Sequence, residues 1–107
     1  MKLIQKHIKE ISGLCKKYHV AEIYAFGSVL SDKFTDNSDI DFLVRFTDVE
    51  PLDYFENYMD FKESLENLFS RSVDLVEIQT IKNPILKRSI DRNKKILYGR
   101  EDTKMAV

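Results

Sequence analysis

The chain has 107 residues, of which 43% are hydrophobic and 33% charged, a composition typical of one ordinary globular domain. Lysine plus arginine (17) nearly balances aspartate plus glutamate (18), so a net charge of -1 excludes a global positive field that would attract nucleic acid. The single cysteine, Cys15, excludes an internal disulfide, and the N-terminal stretch is too frequently charged for a signal peptide or membrane span. We expect a cytoplasmic protein with one domain over residues 1–107.

The first third of the chain predicts a helix and two strands. Apolar residues recur every three or four positions through residues 2–18, which indicates one amphipathic helix with Cys15 on its packing side. The segment VAEIYAF is β-branched and aromatic and ends at Gly27, which predicts a first strand followed by a sharp turn. SVLSDKF favours a brief helical turn and TDNSD is rich in turn residues, so a second strand is expected from Asp39 to Phe46.

The rest of the chain predicts two helices and two strands. A link containing Pro51 precedes LDYFENYMDFKESLENLF, which has helical periodicity, and SVDLVEI reads as a third strand. Asn83 and Pro84 are typical of the N-cap and first position of a helix, which KKILYG follows as a last strand. We expect residues 100–107 to be a flexible tail. The order α-β-β-α-β-α-β predicts an α/β (α+β) fold, a small mixed sheet flanked by helices.

The second predicted strand has two different faces, because side chains alternate along a strand. One face is apolar throughout and comprises Ile40, Phe42, Val44 and Phe46. The other face begins with Asp39 and Asp41, about 6 to 7 Å apart along the backbone. Asp39 could simply end the preceding turn, but Asp41 is unusual inside a strand, and two like charges on one face cost stability unless a ligand binds there. Carboxylates spaced in this way suit Mg²⁺, which prefers oxygen ligands.

Gly27 and Ser28 follow the first predicted strand directly. A glycine there lets the backbone approach a ligand closely, and the serine offers a hydroxyl and an N–H group to a phosphate. An ordinary strand-to-helix turn with a serine cap is the alternative interpretation.

The spacing of these two motifs resembles a known signature. Gly27-Ser28, ten intervening residues and then Asp39-Ile40-Asp41 resembles the nucleotidyltransferase superfamily that includes DNA polymerase β, and most closely its minimal nucleotidyltransferases. The flanks EIYAFGS and SDIDFLV are the strand contexts of that family, and NPILKRSIDRNKKILYG is similar to its closing helix and strand. The resemblance covers nearly the whole chain and implies the nucleotidyltransferase fold.

The resemblance also implies roles for particular residues. The family places a third carboxylate on a later strand, where this sequence has Asp74. Asp39, Asp41 and Asp74 would then be catalytic and hold one or two Mg²⁺ ions, with Asp74 acting as general base or orienting the attacking hydroxyl. Gly27 and Ser28 would bind the terminal phosphates of the nucleotide, with ATP as the expected donor. For Asp74, an ordinary carboxylate on an edge strand is the alternative.

The sequence departs from the family pattern after the Gly-Ser pair. Many members continue as Gly-Ser-x-Ala-Arg-Gly, whereas this chain has GSVLSD, with Ser31 and Asp32 at the arginine and glycine positions. Lys33 is close enough in sequence to replace the missing phosphate-binding cation, although as a point charge rather than a bidentate group. A solvated surface lysine is the other interpretation.

Small members of this family are commonly encoded beside an all-helical HEPN-type partner and act as its antitoxin. The resemblance therefore implies an enzyme that adenylylates a hydroxyl of such a partner, a tyrosine or similar residue. A catalytically inactive module that neutralises its partner by binding is the main alternative. Transfer to RNA or to a small molecule such as an aminoglycoside is a third, disfavoured because no second domain is predicted to hold the acceptor. Self-association is left open, since a chain this short buries a modest core.

Overall fold

The structure is a computed structural model that describes residues 2–99. Its helices are α1 Lys2–Lys6, α2 Ile8–Lys17, α3 Pro51–Phe69 and α4 Pro84–Asn93, and its strands are β1 Val20–Phe26, β2 Ile40–Phe46, β3 Val73–Glu77 and β4 Lys95–Tyr98. Short 3-10 turns occupy Gly27–Leu30 and Ile78–Thr80. The tail predicted for residues 100–107 lies outside the described residues. Within residues 2–99, no helix has the length and apolar character needed to cross a membrane.

The predicted order of helices and strands is confirmed, with one difference in the first helix. The helix predicted for residues 2–18 is divided at His7, whose backbone (φ -112°, ψ 19°) leaves the helical region. The His7 ring packs edge-on against Phe69 with 5.4 Å between ring centroids, and its Nδ1 lies 2.8 Å from Glu10 Oε2. Apolar residues keep their helical spacing across the break, so sequence periodicity does not reveal it.

The four strands form one mixed sheet in the order β3-β2-β1-β4. β1 is antiparallel to both β2 and β4, whereas β2 and β3 are parallel. The end of β1 therefore meets the beginnings of β2 and β3 at one edge of the sheet. This topology gathers residues that are distant in sequence.

One face of the sheet forms the main hydrophobic core against α1, α2 and α3. Its fully buried side chains include Ile23, Ala25, Ile40, Phe42 and Val44 from the sheet and Ile4, Ile11, Cys15, Phe61 and Leu65 from the helices. Cys15 packs within the core as predicted, and burial raises the pKa of its thiol to about 12. The apolar face predicted for β2 is thus confirmed as core.

The opposite face carries a smaller apolar cluster under α4. Tyr24 of β1 and Leu43 of β2 are buried against Ile90 of α4. The predicted start of α4 is confirmed, because Asn83 Oδ1 accepts hydrogen bonds from the N–H groups of Ile85 (2.9 Å) and Leu86 (3.2 Å). Phe26, the last residue of β1, also packs against this cluster, which therefore reaches the end of the sheet where β2 begins.

The outer edge of β3 is covered by polar side chains of α3. Glu66 Oε2 accepts from the N–H group of Val73 at 3.0 Å, and the Tyr58 hydroxyl donates to the carbonyl oxygen of Leu75. These contacts satisfy backbone groups that an edge strand would otherwise expose. They also hold β3 against the core.

Candidate active site

The Gly27 turn and the Asp41 carboxylate lie in direct contact. Gly27 has φ +77°, a conformation that favours glycine, and a Cβ atom added there would lie 2.4 Å from Asp41 Oδ2. Phe26 and Asp41 are paired across β1 and β2, which brings the two motifs together. A side chain at position 27 would collide with the carboxylate. The structure therefore adds a reason for this glycine that the sequence did not indicate, namely that it leaves room for Asp41.

The parallel pairing of β2 and β3 sets Asp41 beside Asp74. The two residues are direct partners in the register, so both side chains project from the same face. Asp39 lies immediately before β2 and is exposed, as is Asp74, whereas Asp41 is half-buried. Burial, and then the negative charges of Asp74 and Asp39, raise the pKa of the Asp41 carboxyl above its ordinary value. Asp39 and Asp74 thus lie close enough to act electrostatically on Asp41, and their common role in one site stays a prediction.

These carboxylates are not neutralised by neighbouring cations in the part of the chain that the structure describes. The ion pairs there join His7 to Glu10, Arg45 to Glu22 and Lys94 to Asp91. Nor do any three histidine, cysteine, aspartate or glutamate side chains among residues 2–99 form a group able to hold a metal ion. Mg²⁺ usually takes one or two carboxylates and completes its shell with water and substrate phosphates. The residues fit an ion of that kind, held jointly with a nucleotide.

The 3-10 turn that begins at Gly27 places Ser28 at its second position, half-buried. The carbonyl oxygen of Ser28 accepts from both the N–H group and the hydroxyl of Ser31, at 2.9 and 3.0 Å. Ser31, which stands where the family pattern has arginine, therefore closes the turn. Lys33 is exposed, and its backbone N–H donates to Ser31 Oγ at 3.2 Å. Its side chain has no hydrogen bond or ion pair within the described residues.

A groove of about 390 Å³ lies between the Gly27 turn and α4, and sequence analysis did not predict it. It is lined by Phe26, Gly27, Leu30, Ser31, Leu86, Ser89, Ile90 and Asn93. The three aspartates are absent from this lining, so the groove adjoins the carboxylate site without containing it. Ser31, at the position where the family pattern has arginine, is one of the residues that line it. The replacement of arginine was visible in the sequence, but its effect depends on how α4 packs.

The fold and the site together define a nucleotidyltransferase. The sequence profile described as "Polymerase beta, Nucleotidyltransferase" matches residues 9–103. The chain therefore belongs to the polymerase β nucleotidyltransferase family, as its motifs predicted.

Two relatives place the chain more finely within that family. A Methanocaldococcus jannaschii protein, named as a proposed protein adenylyltransferase, is 35% identical over 91 residues, which cover 85% of this chain and 87% of the relative. The protein adenylyltransferase MntA of Thermococcus cleftensis is 33% identical over 85 residues, covering 79% of this chain and 80% of the relative.

Solved structures share the fold at lower identity. A proposed minimal nucleotidyltransferase has a TM-score of 0.72 at 24% identity and covers 88% of this chain and 92% of that chain. A chain from a toxin–antitoxin crystal structure with AMP-PNP has a TM-score of 0.68 at 22% identity, with coverage of 92% and 78%. A chain from the tri-AMPylated Shewanella oneidensis HEPN toxin in complex with its MNT antitoxin has a TM-score of 0.62 at 22% identity, with coverage of 94% and 77%. These likenesses confirm the predicted nucleotidyltransferase fold.

Proposed function

We propose that this protein transfers AMP from ATP to a hydroxyl group of a HEPN-type partner protein and thereby acts as that partner's antitoxin. The observation that carries the proposal is the edge of the sheet where Asp41 lies beside Asp74 and against the Gly27 turn. The adenylyltransferase names of the relatives and the toxin–antitoxin complexes among the structural neighbours support the choice of reaction and partner.

Adenylyl transfer makes one bond and breaks another. The acceptor oxygen bonds to the α-phosphorus of ATP, the bond from that phosphorus to the bridging oxygen of the β-phosphate breaks, and pyrophosphate leaves. The proton of the acceptor hydroxyl must pass to a base. Bound Mg²⁺ would neutralise the charge of the phosphate oxygens.

The chain supplies groups suited to each part of this reaction. Asp39 and Asp41 would hold Mg²⁺ together with the phosphates, because they are acidic, adjacent and without a protein counter-ion in the described part of the chain. Gly27 and Ser28 would bind the terminal phosphates through backbone N–H groups and the Ser28 hydroxyl.

Asp74 is assigned to the acceptor side of the reaction. It would take the proton of the attacking hydroxyl, or orient that hydroxyl. As a third metal ligand it would first have to approach the ion that Asp39 and Asp41 hold, because no three such side chains are grouped for a metal among residues 2–99. Asp74 is exposed and lies on β3, the outermost strand of the sheet. Because its side chain is exposed on the same face of the sheet as Asp41, a hydroxyl on another protein can approach it from solvent, which suits an acceptor supplied by a partner.

Lys33 is proposed as a minor phosphate contact. Its exposed side chain follows the Gly27 turn and carries the positive charge nearest in sequence to the missing arginine. As a flexible point charge it would contribute less than a bidentate arginine. We expect Lys33→Ala to weaken ATP binding about threefold, or roughly 0.7 kcal/mol, measured by calorimetry.

The test of the proposed function is the mass of the partner. The purified protein is incubated with ATP, Mg²⁺ and its HEPN-type partner, and the partner is expected to gain the mass of one or more AMP groups. The double variant Asp39→Asn/Asp41→Asn should abolish this gain, whereas Asp48→Asn, an exposed acid in the loop after β2, should preserve it. An unchanged partner mass with the wild-type protein would refute the proposal.

The second candidate is a module that neutralises its partner by binding alone. The observation that favours it is the GSVLSD run, in which Ser31 closes the turn at the position where the family pattern has arginine. The same double variant separates the two functions. If Asp39→Asn/Asp41→Asn still neutralises the partner in a growth assay, binding alone is sufficient.

A further inference from the structure

Arg71, two residues before β3, contacts the loop that leads into Asp39. Its Nη1 donates hydrogen bonds to the carbonyl oxygens of Thr35 (3.0 Å) and Ser38 (2.9 Å). Its guanidinium carbon lies 4.6 Å from the centroid of the Phe34 ring, a cation–π contact. Arg71 thus holds the 34–38 loop at three points, although the two segments are more than thirty residues apart.

The loop that Arg71 holds is a compact turn. The N–H group of Ser38 donates to the Thr35 carbonyl oxygen at 3.1 Å, and the N–H group of Thr35 donates to Ser38 Oγ at 3.0 Å. Arg71 binds the carbonyl oxygens at both ends of this closed turn, and Ser38 is bonded directly to Asp39. A shift of the turn would therefore move Asp39 relative to its neighbours.

Arg71 also adjoins the other half of the carboxylate site. Three residues later the chain reaches Asp74, and the intervening Ser72 accepts the hydrogen bond from the N–H group of Ile40 at 3.1 Å. The start of β3 is thereby joined to the start of β2 by one backbone bond. Arg71 adds a side-chain connection between the same two segments, through the carbonyl oxygens of Thr35 and Ser38 that precede Asp39.

The buried Nε of Arg71 reduces the stability of the fold. This nitrogen has no hydrogen-bond partner among the described residues. An unsatisfied buried donor costs about 1–3 kcal/mol, so the arginine is an expensive way to fill this position. A lysine has no planar group with which to stack on Phe34 while donating to two carbonyl oxygens. The geometry requires a guanidinium.

We infer that Arg71 is a positioning residue, which fixes the 34–38 loop so that Asp39 is held beside Asp41 and Asp74 for nucleotide and metal binding. The consequence for binding rests on the proposed function, whereas the restraint of the loop does not. Removing Arg71 should release the loop and leave the fold intact, because the core face and the strand pairing do not involve its side chain.

The experiment combines two independent readouts on Arg71→Ala, with exposed Arg88→Ala of α4 as the matched control. The first readout is the rate at which a lysine-specific protease cuts after Lys33, without nucleotide or metal, with the product identified by mass. This protease does not cleave at arginine, so the substitution itself removes no site. We expect Arg71→Ala to be cut about tenfold faster at Lys33. The reason is that losing the Arg71 contacts lowers the free energy of local opening of the loop by about 1.4 kcal/mol, which corresponds to tenfold.

The second readout is the Kd of AMP-PNP measured by calorimetry over a series of Mg²⁺ concentrations. We expect about tenfold weaker binding for Arg71→Ala, an intermediate loss for Arg71→Lys, and wild-type binding for Arg88→Ala. Thermal melts establish that each variant is folded at the assay temperature. If Arg71→Ala fails to fold, the comparison of Arg71→Lys with the wild type decides the binding readout.

The outcomes separate the inference from the proposed function. Equal cutting at Lys33 in wild type and Arg71→Ala would overturn the restraint of the loop. Faster cutting with unchanged affinity for AMP-PNP would overturn the positioning role and leave Arg71 purely structural. If wild-type protein binds no AMP-PNP even with its partner present, the proposed function fails, and the cutting rate still decides whether Arg71 holds the loop.

Discussion

The two faces of the sheet differ in what they contain, and neighbouring residues of β2 show the difference best. Phe42 is fully buried in the core under α1, α2 and α3. Asp41, the residue before it, points to the other face, where its pKa is raised by burial and by two other carboxylates. One strand therefore provides stability with alternate residues and a charged site with the others.

The comparison teaches that the site is built at the expense of local stability. Burial of a large apolar side chain contributes about 1.5–3 kcal/mol, and the core face contains many such side chains. Clustered carboxylates repel one another and lower the stability of the fold until a cation binds. A trade of this kind between function and stability is common at active sites. Substitutions on the two faces should consequently have opposite effects.

The largest expected effect is on the core face. Phe42→Ala should lower the free energy of unfolding by about 3–5 kcal/mol, because it removes a fully buried ring and leaves a cavity. Urea denaturation measures this loss, and Asp41→Ala is the matched substitution on the other face. A cost below about 1 kcal/mol for Phe42→Ala would contradict the assignment of this face as the main source of stability.

The next effect is on activity. If Asp41 holds the metal as proposed, Asp41→Asn should reduce transfer of AMP to the partner by about 10²- to 10³-fold. Initial rates of partner modification measure it, and circular dichroism verifies the fold. Activity within threefold of wild type would exclude Asp41 from the site.

Gly27→Ala tests the contact that joins the two motifs. Alone it should cost about 2–3 kcal/mol, from a positive φ and from the collision with Asp41 Oδ2. In an Asp41→Ala background only the backbone part, about 1 kcal/mol, should remain. Gly13→Ala is the control, since an added Cβ there meets nothing within 4 Å. An equal loss of unfolding free energy in both backgrounds would mean that the Asp41 carboxylate does not collide with the added Cβ atom.

A smaller effect is the pH dependence of stability at Asp41. Its pKa is higher in the folded than in the unfolded chain, so the folded state binds the proton more tightly, and ionisation at higher pH destabilises the fold. Asp41→Asn should therefore raise Tm by about 2–4 °C at pH 7. The gain should shrink as pH falls through about 4, near the pKa of an unfolded aspartate, and disappear towards about pH 3, where both states are mostly protonated. Thermal melts from pH 3 to 7 measure it, and a gain independent of pH would argue against this cause.

The smallest expected effect is a shift in the pKa of Tyr54, a residue of α3, which packs on the core face. Burial and a 2.7 Å hydrogen bond to Glu77 raise the pKa of its hydroxyl to about 12. Because the unfolded tyrosine ionises near pH 10, the fold loses stability as pH rises from about 10 to 12. Glu77→Gln should lower the pKa of Tyr54 part of the way towards 10, since burial persists. Ultraviolet titration of phenolate absorbance measures the shift, with Tyr54→Phe identifying the signal.

Local patterns in the sequence were sufficient for most elements of the fold. The alternation in β2 predicted its buried face, and Asn83 with Pro84 predicted the start of α4, because both depend on residues close in sequence. The division of the first helix at His7 escaped prediction, and the contact that the structure shows there is with Phe69, sixty-two positions away. The spacing of apolar residues alone does not predict that contact.

The sequence by itself determined which residues are candidates for the site, namely the Gly-Ser pair, Lys33, Asp39 and Asp41, to which the family resemblance added Asp74. Only the tertiary structure decided that Asp41 partners Asp74, that Gly27 makes room for Asp41, and that Arg71 holds the loop before Asp39. Each of these contacts depends on strand order and register, which the packing of the whole chain selects. A motif can therefore identify the candidate groups, but the distances between these groups are set by contacts between residues far apart in the sequence.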